Sequence, residues 1–380
     1  MTSKQRLHAA FSGAHPDRVP IWMMFPYESE PFAADVYNEE SYRDVAELVR
    51  KETDFIERNA TNTDFLVGKE TGLANVDFLF NHPEVEKTTE HHVNGKTHTT
   101  IHRVRYRNTV LEKKIVTAGE STRVEPYLGR IEDVKRIVEM PYEVPTIDLG
   151  PYRARAERLG EAGLHGIQCI DPISVFHDIC SEVDFALWVY THRDLVKEFL
   201  TAVMPRVNAV YKQFLDAGVG EIFWVSGPEY LCPPFASPET FNELGVGFDR
   251  SLFDMIREKG KKTILHCHGM IRDVLSGIAE LNPHALHPVE PPPFGDCTLA
   301  QARSRLGDEV VLIGNIEYME LESKSPEEIE ALVKSAVDEG GRDRFVLSPS
   351  CTPFGDTLNE RVSENYIRMI KAGLRYGTNI

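Results

Sequence analysis

From Ile131 onward, short apolar runs alternate with stretches of helical pattern, and no other feature constrains the fold of this chain as tightly. The runs are GIQCI, EIFWV, KTILH, HALHP, VVLIG and RFVLS. Each is too short for a helix, rich in β-branched or aromatic residues, and flanked by helical sequence. Helices are predicted over Gly150–Ala162, Val183–Ala217, Pro238–Glu258, Met270–Leu281, Leu299–Leu306, Pro326–Glu339 and Val362–Gly373. Ser237-Pro238-Glu239 and Ser325-Pro326-Glu327-Glu328 mark helix starts. The serine can cap a free N–H, proline suits the first helical position, and the acids face the positive helix end. Strands separated by helices pair in parallel, because the crossover returns the chain to the same end of the sheet. With this strand count and 380 residues, the expectation is a closed (β/α)₈ TIM barrel spanning residues 1–380 as one domain.

The N-terminal third is less regular. A helix is predicted at Ser3–Ser12, ended by Gly13, then a strand at Val19–Met24, a helix at Ser41–Lys51 and a short buried strand at Asp64–Val67. Between Val85 and Ala118 the chain turns rich in Thr, His and Val around Asn94-Gly95, a strong hairpin signal. This segment reads as an antiparallel β-hairpin excursion inserted early in the barrel. His91, His92, His98 and His102 lie on it. Their Thr and Arg neighbours suit a solvated hairpin better than a metal site.

Composition excludes several functions. The net charge of −17 repels polyanions, so neither nucleic acid nor an anionic membrane surface is an expected partner. No stretch reaches the roughly 18 apolar residues of a membrane span, and the first twenty residues lack a signal-peptide core. A cytoplasmic protein is expected. The six cysteines show no paired spacing, so a special one would serve as a metal ligand or a nucleophile.

The residues just beyond each strand carry the chemistry. GIQCI ends in Asp171, which suits substrate binding or capping of the next helix. EIFWV leads to Glu229, KTIL to His266-Cys267-His268, HALH to Glu290, VVLIG to Asn315 and RFVLS to Cys351. In a barrel the carboxyl ends of strands converge on one face, where the active site is expected. Residues i and i+2 of a strand point the same way, so His266 and His268 can share a metal while Cys267 faces the helices. A bulge there would exchange Cys267 for His268. Cys351 offers a soft third ligand, and three N/S ligands with an open position suit catalytic zinc. Glu290 is a fourth ligand or orients a histidine. Glu229 is a candidate general acid, substrate binder or metal neighbour, and Asn315 a candidate substrate hydrogen bonder. No dinucleotide fingerprint, P-loop or nucleophile elbow is present.

The segments RVPIW, SPETFNEL, ILHCHG, GDEVVLIGNIEYMELESKSPEEIEALV and LSPSCTPFGDTLNERVSENYIRMI resemble the uroporphyrinogen decarboxylase superfamily. That superfamily also contains the corrinoid-dependent methyltransferases. The resemblance implies a (β/α)₈ barrel with its site at the C-terminal face. Decarboxylase members carry Arg-Gln-Ala-Gly-Arg-Tyr after the first strand, whereas this chain has Met23-Met24-Phe25-Pro26-Tyr27-Glu28 and so no cationic clamp. Thiol-methylating members hold zinc with His-x-Cys and a later Cys. Aligned on Gly269, those positions are His266, His268 and Cys351. Histidine in place of a thiolate leaves a less anionic, more Lewis-acidic metal. The resemblance thus implies a zinc-dependent methyltransferase acting with cobalamin, carried by a partner corrinoid protein or free. Its expected substrate is a small methylated compound, for example a methoxylated aromatic undergoing O-demethylation. Alternatives are a methylcobalamin:thiol methyltransferase, a metal-independent decarboxylase and a non-catalytic corrinoid-binding protein. A homodimer is left open.

Overall fold

A computed structural model describes residues 1–28, 35–60, 77–118, 121–353 and 357–378. Seven strands form one parallel sheet in the order β1 (Phe55–Ala60), β6 (Gly163–Ile170), β7 (Ile222–Ser226), β8 (Lys262–His266), β9 (Ala285–His287), β10 (Val311–Ile316) and β11 (Phe345–Pro349). The six C-terminal strands coincide with the six apolar runs. The predicted strand at Asp64–Val67 lies outside the described residues, and β1 had not been anticipated.

The eighth barrel position is filled by the segment predicted as a strand at Val19–Met24. Trp22 N donates to Leu347 O of β11 at 2.9 Å, and Leu347 N donates to Pro20 O at 2.9 Å. On the other side Asp54 N, at the entry to β1, donates to Ile21 O at 2.7 Å. The segment makes a bridge, Ile21 to Leu347, in place of a full ladder, because Pro20 has no N–H to give. The buried Asp54 carboxylate locks it there. It accepts from Arg6 Nη1 at 2.6 Å, Arg18 Nη1 at 2.8 Å and Ile21 N at 2.8 Å.

The barrel interior is a separate apolar cluster built from alternate strand residues, including Ile56, Leu164, Ile222, Trp224, Ile264 and Val346. Leu7 and Phe11 of the helix Ser3–Ser12 plug its N-terminal end. Gly13, in the left-handed region with φ of 72°, ends that helix as expected. A larger cluster joins the outward strand faces to the helices. The predicted helix over 183–217 is two, Glu182–Thr191 and Arg193–Asp216, broken at His192.

The N-terminal excursion is larger than a hairpin. It is a four-stranded antiparallel sheet of β2 (Glu86–Asn94), β3 (Thr97–Tyr106), β4 (Thr109–Ala118) and β5 (Ser121–Glu125). Val104 and Leu111 anchor it to the core, and the Asn94-Gly95 end is exposed. His102 departs from the solvated reading: it is buried, with Nδ1 3.0 Å from Thr89 Oγ1. No helix among the described residues is long and apolar enough to cross a membrane.

Candidate active site at the strand C-termini

A layer of indoles forms the floor. Trp22 and Trp224 meet edge to face at 5.5 Å, and Arg58 of β1 lies with its guanidinium carbon 5.1 Å from the Trp224 ring centre. Above Trp224 stand His266, 4.7 Å away between ring centres, and His287, 5.0 Å away. The pairing of β8 with β9 sets His266 directly against His287.

The two rings stack at 19°, with their Nδ1 atoms 3.0 Å apart. His287 Nε2 lies 3.2 Å from Pro349 O. A carbonyl can only accept, so His287 carries its proton on Nε2 and offers a lone pair at Nδ1. His266 must then donate from Nδ1, which leaves its Nε2 bare. Burial, followed by the nearby charge of His268, holds both imidazoles well below their ordinary pKa. Both are therefore neutral near pH 7, the form that binds metal or accepts a proton.

His268 is set differently. Its Nδ1 lies 2.6 Å from Glu290 Oε1, while Gly269 N donates to Glu290 Oε2 at 3.0 Å. Burial opposes the charged imidazole, but the bond to Glu290 and the charges of Glu229 and Glu317 raise its pKa. Glu290 in turn is pulled below the usual carboxylate range: burial opposes its charge, but the bond and charge of His268 and the Gly269 amide together outweigh it. Of the two roles expected for Glu290, the geometry displays the orienting one.

Glu317, at the end of β10, is a site residue that sequence analysis passed over. Its Oε2 accepts from Ser350 Oγ at 2.9 Å, and its carboxyl is hydrogen-bonded to that of Glu290. Burial and the negative Glu290 push its pKa up to about 8. Cys351 follows β11, and burial with the charges of Glu317 and Glu290 pushes its thiol up to about 12.

Glu229 stands beside a cavity of about 730 Å³ that also reaches His268 and Gly269. Its Oε2 accepts from Gly227 N at 2.6 Å, and burial raises its pKa. Asp171 takes the structural role of its two expectations. It accepts from Ser174 N at 2.7 Å, capping the helix Pro172–Ile179. Asn315 is not brought to this cavity; it lines a separate cleft with Pro291, Pro292, Leu332 and Ser335, on the helix side of β10. Cys267 is fully buried against Cys232, so the strand keeps the alternation that points His266 and His268 together.

Among the described residues, no three His, Cys, Asp or Glu side chains stand gathered as a metal cage. In kind, the donors fit zinc: a bare Nε2 on His266, an Nε2 on His268 left free by the Nδ1 bond to Glu290, and the Cys351 thiol. Histidines whose other nitrogen is held by a neighbour are the usual form of zinc ligands.

The parallel strands closed by the Ile21 segment, with polar groups converging beyond their carboxyl ends, define a protein of the (β/α)₈-barrel class. Among solved structures the chain is similar to a methyltransferase from Methanosarcina mazei, at 18% identity over 99% of both chains with a TM-score of 0.62. A B12-independent methionine synthase from Shewanella sp. W3-18-1 is 13% identical over 94% of this chain and 97% of that one, with a TM-score of 0.46. No curated protein matches. The family model described as uroporphyrinogen decarboxylase (URO-D) matches residues 118–367, and the chain belongs to that family.

Proposed function

We propose that this chain is a zinc-dependent methyltransferase that moves a methyl group between a small methylated substrate and the cobalamin of a partner corrinoid protein. The observation that carries the reading is the pair of strand-end histidines whose Nδ1 atoms are held by His287 and Glu290, which leaves both Nε2 atoms available to a metal. Likeness of fold to a methyltransferase supports it. His266, His268 and Cys351 would hold the metal. Zinc, when bound, supplies Lewis-acid polarisation of the substrate heteroatom.

The other roles belong to the protein. Glu290 keeps His268 in one orientation and one tautomer. Glu229, with Oε2 fixed by Gly227 N and its pKa raised by burial, is the group that would pass a proton to the departing oxygen. The stacked His266 and His287 rings and the indoles beneath them exclude water from the inner side. A decarboxylase acting on a polycarboxylate is disfavoured, because the 23–28 segment carries no arginine and Glu28 itself pairs with Arg158.

The test is metal content of the purified protein and of its His266→Ala and Cys351→Ser variants. It is paired with an assay of methyl transfer from methoxylated compounds to cob(I)alamin. About one zinc per chain, lost in both variants together with transfer, is the expected result. Absence of metal in all three after zinc is supplied sinks the reading.

A further inference from the structure

The cavity beside His268 has a character that the sequence did not disclose. Its inner end is formed by Glu229, His268 and Gly269, and its walls by Phe185, Tyr230 and Phe235. Tyr230 is stacked on His177 at 3.9 Å between ring centres and 15° between planes, which makes a rigid flat wall. At the rim, Val183, Leu187 and Phe235 are 76%, 51% and 68% exposed. Large apolar side chains gathered at a cavity mouth mark a binding surface. A volume of about 730 Å³ lies within the range of small-molecule sites.

The charges around it are selective. No Lys or Arg lines the cavity among the described residues. Its two basic side chains are already engaged, His177 Nε2 with Glu182 Oε2 at 2.9 Å and His268 Nδ1 with Glu290 Oε1 at 2.6 Å. Glu182 and Glu229 add carboxyl groups. A carboxylate seated between Tyr230 and Phe185 would lose its water and find no lysine or arginine in exchange, which is costly. A flat apolar ring would gain burial and edge or face contacts with Tyr230 and Phe185.

We infer that this cavity seats an uncharged aromatic methyl donor, an aryl methyl ether bearing no carboxylate, with its ring toward Tyr230 and its reacting end toward His268. This rests on the methyltransferase reading above.

The experiment is isothermal titration calorimetry of the full chain with 1,2-dimethoxybenzene and with 3,4-dimethoxybenzoate. Transfer from each to cob(I)alamin is followed in parallel. The uncharged compound is expected to bind at least about tenfold tighter. Ala186→Trp, at an exposed rim position, is expected to weaken that binding about tenfold or more without moving the thermal midpoint. Leu187→Arg supplies the missing cation, and is expected to narrow or reverse the preference. Equal or tighter binding of the benzoate to the unaltered protein, or indifference of binding to Ala186→Trp, overturns the inference. Preferential binding with no methyl transfer keeps the aromatic cavity and removes the methyltransferase reading. Transfer from the benzoate, undisturbed by Ala186→Trp, keeps that reading and overturns the cavity assignment.

Discussion

The Nδ1 atoms of His266 and His287 lie 3.0 Å apart, and one proton serves them both. Pro349 O decides which ring owns it, since the carbonyl 3.2 Å from His287 Nε2 can accept only from an N–H there. A backbone atom at the end of β11 thus sets the tautomer of a side chain on β8, through a ring on β9.

His287→Ala removes that control. The expected result is that His266 loses its single tautomer, seen in imidazole ¹⁵N shifts. Zinc affinity by chelator competition should fall about 10–100-fold, the usual cost of losing an orienting partner. Unchanged shifts and unchanged affinity would show that His287 plays no such part.

Glu317 makes stability depend on pH. Its pKa rises from 4.5 unfolded to about 8 folded, so between those values the folded chain binds the extra proton. Stability from this group is present in full below the unfolded value and declines as pH climbs toward 8. Glu317→Gln imitates the protonated acid, and its thermal midpoint should fall less than the parent's between pH 5 and 8. Parallel curves for the two proteins would contradict this.

Gly227 sits at the turn after β7 with φ of 133°, and a Cβ there would collide with the Asp171 carboxylate. Gly227→Ala should cost about 3 kcal/mol or more in urea unfolding, from strain and clash together. Gly218→Ala is the control. Its φ is 71° but the space around it is open, so a loss of about 1 kcal/mol is expected. Similar losses at both positions would mean that Asp171 yields without difficulty.

Asp54 holds Arg6, Arg18 and the Ile21 amide at the barrel's closing seam. With its side chain fully buried and the two arginines largely so, Asp54→Ala leaves Arg18 without a carboxylate and Arg6 with Asp17 alone. The expected loss is about 3–5 kcal/mol, with hydrogen exchange accelerated first at Trp22 and Leu347. Exchange rising uniformly instead would place the damage outside the seam.

The six strands from β6 to β11 were legible because each is a short β-prone run between strong helical patterns. Helix starts at Ser237 and Ser325 were legible because capping chemistry is local: each hydroxyl accepts the amide three residues on. β1 was missed because its FIERNA sequence carries Glu57, Arg58 and Asn59 inside the strand. The strand is held by pairing with β6 and by the Arg6–Asp54–Arg18 ion pairs beside it, which local hydrophobicity does not register.

The candidate site divides in the same way. His266, His268, Glu229 and Glu290 were legible as polar groups at strand ends, since alternation along a strand is a property of the chain alone. Asn315 was placed in the site by that logic, but lines the cleft beside Leu332 instead. His287 and Glu317 gained their importance only from neighbours 21 and 27 residues distant, as in the His266–His287 and Glu290–Glu317 pairs. The order of strands and helices, and the chemistry available at each strand end, were determined by the sequence itself, because periodicity and capping act over a few residues. Which imidazole nitrogen is bare, which carboxyl keeps its proton and which rings wall the cavity were decided by the tertiary structure. Burial and hydrogen bonds between remote segments set those states, and they exist only once the barrel has closed.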